Sequence, residues 1–152
     1  MEPILEAARV AAGDVRRRAA ADGLPLYVGG VSLGTFSAVH VAKGAEDVRG
    51  VVLSAPPSSL AAAARHRFAW LPIGLLLRHP FDSLSVAEEV AAPVLVLHGD
   101  LDRIVPQQHG RDLAARLPRG EFVPATGHGH MIPLHRGGPF GERIEAFFEA
   151  LR

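Results

Sequence analysis

Residues 24–42 read LPLYVGGVSLGTFSAVHVA. An apolar run from Leu24 to Val31 ends in glycines, and small and apolar residues then continue without a breaker from Thr35 to Ala45. The first part predicts a buried strand and the second a helix. Between them stands Ser32, with Gly30 and Gly34 two positions to either side. Serine and glycine are common in surface turns, so this pentapeptide is weak evidence by itself. A sharp strand-to-helix corner would also hold a hydroxyl out where it can attack. The remainder of the chain separates the two readings.

Working outward, strands and helices alternate. Ahead of the corner, Ile4, Leu5, Ala8, Ala12 and Val15 recur at helical spacing. Arg16, Arg17 and Arg18 follow, so an amphipathic helix is expected with cations close to its C-terminal dipole. Beyond the corner, Gly50–Ala55 (GVVLSA) predicts a second strand, closed by Pro56 and Pro57. Ser58–Leu77 is expected to be helical in pieces, broken at Pro72. Val94–His98 (VLVLH) and Glu121–Ala125 predict the third and fourth strands, with a helix over Pro106–Leu117 between them. Ile144, Phe147, Phe148 and Leu151 mark a final helix over Phe140–Leu151. Strands apolar along their whole length, alternating with helices, predict an α/β fold whose mostly parallel sheet, of about four strands, is covered on both faces.

The 152 residues suffice for one domain with a real core. Sixteen basic and 16 acidic residues give a formal net charge of zero, which argues against a nucleic-acid partner. Cysteine is absent, so there is no disulfide framework or thiol chemistry. The N-terminal MEPILEAARV is acidic and lacks the apolar core of a signal peptide. The longest apolar run, Phe68–Leu77, is too short for the roughly 20 residues of a membrane helix. A cytoplasmic location is expected.

In a parallel α/β sheet, ligands and catalysts gather at the C-terminal ends of the strands. The polar clusters lie there: Ser32 after the first strand, Gly99–Pro106 (GDLDRIVP) after the third, Thr126–His130 (TGHGH) after the fourth. A serine, an acid and a histidine at one sheet edge are the parts of a nucleophilic triad. Serine needs a base to take its proton, and histidine titrates in the right range. The imidazole needs an acid on its other nitrogen, and the tetrahedral oxyanion needs preorganised N–H donors. For the acid, Asp100 and Asp102 compete; for the base, His128 and His130. A zinc site built from His98, Asp100, His128 and His130 matches no zinc spacing and leaves the serine corner unexplained, so neither metal nor cofactor is expected.

GVSLG resembles the G-x-S-x-G nucleophile elbow of the alpha/beta-hydrolase fold. PVLVLHGDLDRIVP (93–106) is similar to that family's strand and acid loop, and ATGHGHM (125–131) to its late Gly-His loop, in the family's order Ser, Asp, His. RFAWLPIGLLLRHPFDSL (67–84) resembles the small cap of serine hydrolases related to monoacyl lipases and protein depalmitoylases. The resemblance implies Ser32 as nucleophile, Asp102 as triad acid with Asp100 bracing the loop, His128 as base, and the Leu33 backbone N–H as an oxyanion donor. Gly30 and Gly34 would be the elbow glycines, both crowded. The implied fold is the C-terminal half of an alpha/beta hydrolase, one domain over 1–152 with a cap-like insertion at about 58–90. The implied activity is hydrolysis of small-molecule carboxylic esters or thioesters through an acyl-enzyme. The family carries strands ahead of the elbow, and one loop among them supplies a second oxyanion donor; only a helix precedes the elbow here. The strand at Leu26–Gly30 is therefore expected to be an open edge that invites pairing with a second copy. The alternative is a non-catalytic alpha/beta-hydrolase fragment or interaction protein pairing through that edge.

Overall fold

The computed structural model describes residues 2–59, 61–62 and 82–152. Its elements are α1 (Glu2–Asp22), β1 (Leu26–Val31), α2 (Gly34–Ala42), β2 (Val48–Ser54), a 3-10 turn (Leu84–Glu89), β3 (Val94–Gly99), α3 (Gln107–Arg116), β4 (Gly120–Ala125) and α4 (Pro139–Glu149). The expected helical pieces at 58–77, the apolar run at 68–77 and most of the cap-like insertion lie outside the described residues. Among the described residues no helix is long and apolar enough to cross a membrane.

The four strands pair in parallel in the order β1-β2-β3-β4. Side chains alternate between the two faces of such strands, and two cores result. Val51, Leu53, Val94 and Val96 face α2 and α3 and pack with Val39, Ala42, Leu113 and Leu117. Val52, Leu95 and Leu97 face the other way and pack with Phe147 of α4 and with Ile132. Burying both faces explains why the central strands read as unbroken apolar runs. β1 and β4 are the edges. Pro124 interrupts the pairing capacity of β4, whereas β1 leaves Gly29 and Val31 exposed with no comparable block.

α1 packs mainly against α2. It runs a turn further than its apolar spacing suggests, to Asp22, and no basic residue falls in its last turn. The expected pairing of Arg16–Arg18 with the helix dipole is therefore replaced by ion pairs: Arg16 with Asp47 at 2.7 Å, and Arg17 and Arg18 with Asp14 at 3.0 and 2.7 Å. These pairs are exposed and contribute little stability individually. The outer face of α1 leaves Ile4, Val10 and Val15 in solvent.

The layers predict where stability resides. Leu53 is fully buried on β2 and Val10 is 65% exposed on α1. Leu53→Ala is expected to cost about 2–5 kcal/mol, and Val10→Ala no more than about 0.5 kcal/mol. Urea unfolding midpoints check this, and equal shifts for the two variants would contradict the layer assignment.

Candidate active site

The corner after β1 is tight. Ser32 has φ +51°, a left-handed conformation unusual for a side-chain-bearing residue. Its N–H is held by the Ser54 carbonyl at 2.9 Å. Its carbonyl accepts from the Thr35 N–H at 3.0 Å and from the Thr35 hydroxyl at 2.5 Å. The chain thus turns from strand to helix within two residues, and Ser32 projects at the sheet's C-terminal edge. A Cβ on Gly30 would lie 2.6 Å from the Gly34 carbonyl oxygen and 2.7 Å from the Thr35 nitrogen. Gly30 is the crowded elbow glycine. Gly34 is not: a Cβ there would meet nothing within 4 Å, because it points to the outside of the turn. Leu33 is the N-cap of α2, so its N–H belongs to the first turn, where helix donors have no intrahelical acceptor.

The acid loop is built around one carboxylate. Asp102 Oδ1 accepts from the Ile104 N–H at 2.8 Å and the Val105 N–H at 2.9 Å. Its Oδ2 accepts from His130 Nδ1 at 2.8 Å. The side chain is wholly buried. Burial alone would raise the Asp102 carboxyl, but the Val105 N–H, His130 and the Ile104 N–H outweigh it and hold the group below the usual carboxylate range. Asp100 takes the bracing position: its Oδ1 accepts from the Gly127 N–H at 2.7 Å.

That brace delivers the histidine. Gly127 has φ +76°, and the Leu101 N–H donates to the His128 carbonyl at 3.0 Å. The backbone of 128 and 129 passes directly over the end of β3: a Cβ on Gly99 would lie 2.2 Å from the His128 oxygen. His130 then reaches the corner, with Nε2 3.0 Å from Ser32 Oγ. The carboxylate can only accept, so Nδ1 carries the proton and Nε2 accepts from the serine hydroxyl.

Ser32, His130 and Asp102 therefore form one hydrogen-bonded chain, and His128 stands outside it. The histidine that the structure joins to Ser32 and Asp102 is His130 and not the expected His128. Its Nδ1 donates to the Thr126 carbonyl at 2.9 Å and its ring meets Phe140 edge-on at 5.1 Å. The physical reason is the crossing itself: the backbone of 128 lies on Gly99, and the chain needs two more residues to clear the strand end. The signal was in the sequence, since Gly129–His130 repeats the Gly-His dipeptide of Gly127–His128. His98, named above only in the zinc set, also reaches the acid. It is fully buried, its Nε2 donates to the Val105 carbonyl at 2.8 Å, and the same nitrogen lies 3.3 Å from Asp102 Oδ2. Burial, only partly offset by the Val105 carbonyl and Asp102, lowers its pKa.

Known proteins are similar to this chain. The model of the family described as Serine hydrolase (FSH1) matches residues 21–137. An uncharacterized protein of Mycobacterium tuberculosis (strain H37Rv) is 37% identical over 102 residues, covering 65% of this chain and 36% of the relative. The chain thus spans about a third of the length of the curated relatives it matches. Among solved structures, the esterase domain of a Rhodothermus marinus protein superimposes with TM-score 0.67 at 20% identity, over 90% of this chain and 68% of that one. Monoacylglycerol lipase of Paleococcus ferrophilus gives TM-score 0.59 at 20% identity, over 93% and 73%. An alpha/beta hydrolase from a lagoon-sediment metagenome gives TM-score 0.65 at 17% identity, over 91% and 68%. At such identities these structures establish the fold, that of the alpha/beta hydrolases.

Two predictions follow from the geometry. Gly30→Ala forces backbone apart and is expected to destabilise by about 3 kcal/mol or more, whereas Gly34→Ala stays within about 1 kcal/mol; denaturant midpoints of the two variants check this. His98 and His40 are both held below the ordinary histidine value of 6.5, each chiefly by burial. The unfolded chain takes up protons at 6.5 that the folded chain refuses, so their contribution is complete above that pH and is lost as pH falls. Stability is expected to decline between about pH 7 and pH 5, and less steeply in His98→Gln. Thermal melts across that window measure it; equal slopes would remove His98 from the account.

Proposed function

The chain belongs to the FSH1 serine hydrolase family, and from that premise we propose that it cleaves carboxylic esters or thioesters through an acyl-enzyme on Ser32. The observation that carries the reading is the chain Ser32–His130–Asp102, with links of 3.0 and 2.8 Å. Neighbours described as an esterase domain and a monoacylglycerol lipase support the substrate class.

In this mechanism Ser32 Oγ attacks the acyl carbon while His130 Nε2 takes its proton. Asp102, ionised and buried, stabilises the imidazolium through Nδ1. The oxyanion accepts from the Leu33 N–H at the start of α2, where the helix dipole also favours negative charge. Collapse of the intermediate breaks the acyl–oxygen or acyl–sulfur bond, and His130 returns the proton to the departing alcohol or thiol. A water, deprotonated by His130, then attacks the acyl-enzyme; the acid leaves and Ser32 regains its proton.

A second reading rests on the open edge of β1, where Gly29 and Val31 are exposed. Two copies would extend one sheet by pairing this strand, and the run from Leu26 to Val31 has no charge to oppose it. Sedimentation against concentration tests it: self-association is expected, and Val31→Lys is expected to abolish it, whereas a wild-type chain monomeric at all concentrations would reject it.

The catalytic reading is tested with a fluorophosphonate probe and intact mass. One adduct on Ser32 is expected, absent in Ser32→Ala. His130→Ala is expected to slow labelling by about 1,000-fold or more, and His128→Ala to leave it within about three-fold. A folded chain that stays unlabelled, or a His128→Ala variant as inert as His130→Ala, would sink the assignment.

A further inference from the structure

Asp102 Oδ2 is shared by two imidazoles. His130 Nδ1 approaches it at 2.8 Å and His98 Nε2 at 3.3 Å. The proton position on His98 is decided by chemistry. Its Nε2 lies 2.8 Å from the Val105 carbonyl, which can only accept, so Nε2 carries hydrogen. Its Nδ1 is buried and has no hydrogen-bond partner among the described residues, the state of an unprotonated nitrogen. That nitrogen faces Gly110 of α3, where a Cβ would lie 2.4 Å from it. The same residue is fixed from behind by Gln107 Nε2, which donates to the His98 carbonyl at 3.0 Å.

We infer that His98 is a positioning residue of the active site: a neutral Nε2–H, shared between the Val105 carbonyl and Asp102 Oδ2, fixes which way the Asp102 carboxylate faces. The inference rests on the acyl-transfer reading above. Oδ1 is pinned by two backbone N–H groups, and the contact from His98 removes the remaining freedom of Oδ2 to swing away from His130. The donated hydrogen also draws charge from the oxygen that faces His130, so His98 sets how strongly Asp102 favours the imidazolium. Gly110 has a part in this: the space it leaves is what lets a full imidazole stand beside the acid. The titratable groups around Oδ2 are His98 on β3 and His130 on the loop after β4. Ser32 faces His130 from the far side, Asp100 is turned to the Gly127 N–H, and α3 presents Gly110 to the ring.

The test compares His98→Leu, which removes the donor; His98→Gln, whose amide places an N–H near the Nε2 position; and His98→Asn, whose amide stops short of it. Two readouts are taken on folded protein: the pH dependence of Ser32 labelling by fluorophosphonate, and the low-field proton resonance of His130 Nδ1–H. In His98→Leu and His98→Asn the labelling rate is expected to fall about ten-fold and its acid-side midpoint to rise by about half a pH unit, since Asp102 keeps more charge for the imidazolium. The Nδ1–H resonance is expected to move with it. His98→Gln is expected to stay near wild type in both. A purely structural histidine would lower stability and leave midpoint and resonance unmoved, and that outcome overturns the inference, as does His98→Gln behaving like His98→Leu. Should His98→Leu not fold, the Gln–Asn pair decides alone. Failure of wild type to label would count against the hydrolase reading, and the resonance shift would still decide for or against His98.

Discussion

A single buried carboxylate organises the C-terminal edge of this sheet. Asp102 has no exposed side-chain surface, and an ion in that position is tolerable only when its oxygens are satisfied. Two backbone N–H groups and the His130 imidazole do so, with His98 Nε2 3.3 Å from Oδ2. The acid loop must therefore curl so that Ile104 and Val105 present their amides. β3 must end in a histidine that can stay neutral, and the loop after β4 must bring His130 across. Each demand constrains a different part of the chain, and all meet at one residue.

The means of meeting them are largely glycine geometry. Gly99 lets the 128–129 backbone lie on the strand end, Gly110 makes room for the His98 ring, and Gly30 lets the elbow close against α2. Gly34 shows the limit of motif reasoning. It completes the G-x-S-x-G pattern, yet the space beside it is open. Two glycines at symmetrical positions in a motif need not have symmetrical reasons.

How much of this was legible beforehand follows from which forces are local. The strands were readable because both faces of the sheet are buried, so apolar character is continuous at Val51–Leu53 and Val94–Leu97. The corner at Ser32 was readable because its glycines and the change from strand to helix are local; spacing left Asp100 and Asp102 open, and the family resemblance pointed to Asp102, the one that accepts from His130. The choice between His128 and His130 was not, because it depends on how far a loop travels over a strand from which it is separated by some 30 residues. α1 was misjudged at its end for a related reason: its arginines answer to Asp14 and to Asp47, the latter beyond β1 and α2, and not to the helix terminus. Local pattern locates elements and candidate chemistry; crossings and long-range pairs decide which candidate is used.

The same distinction bears on the two functional readings. The hydrogen-bonded chain Ser32–His130–Asp102 is assembled from three loops whose positions are set by the parallel register of β1, β3 and β4, with β2 holding the Ser32 corner through the Ser54 carbonyl. Nothing in that assembly draws on the outer edge of β1. The proposed adduct at Ser32 and the proposed pairing through β1 would therefore be separable, the first governed by the sheet's C-terminal edge and the second by its side. Ser32 links them only through strain: its φ of +51° is held by hydrogen bonds to β2 and α2. A strand added beyond β1 would leave those bonds in place while stiffening the strand that carries them. The contacts that hold the Ser32 corner thus come from β2 and α2, and a neighbour on the open edge would leave them in place.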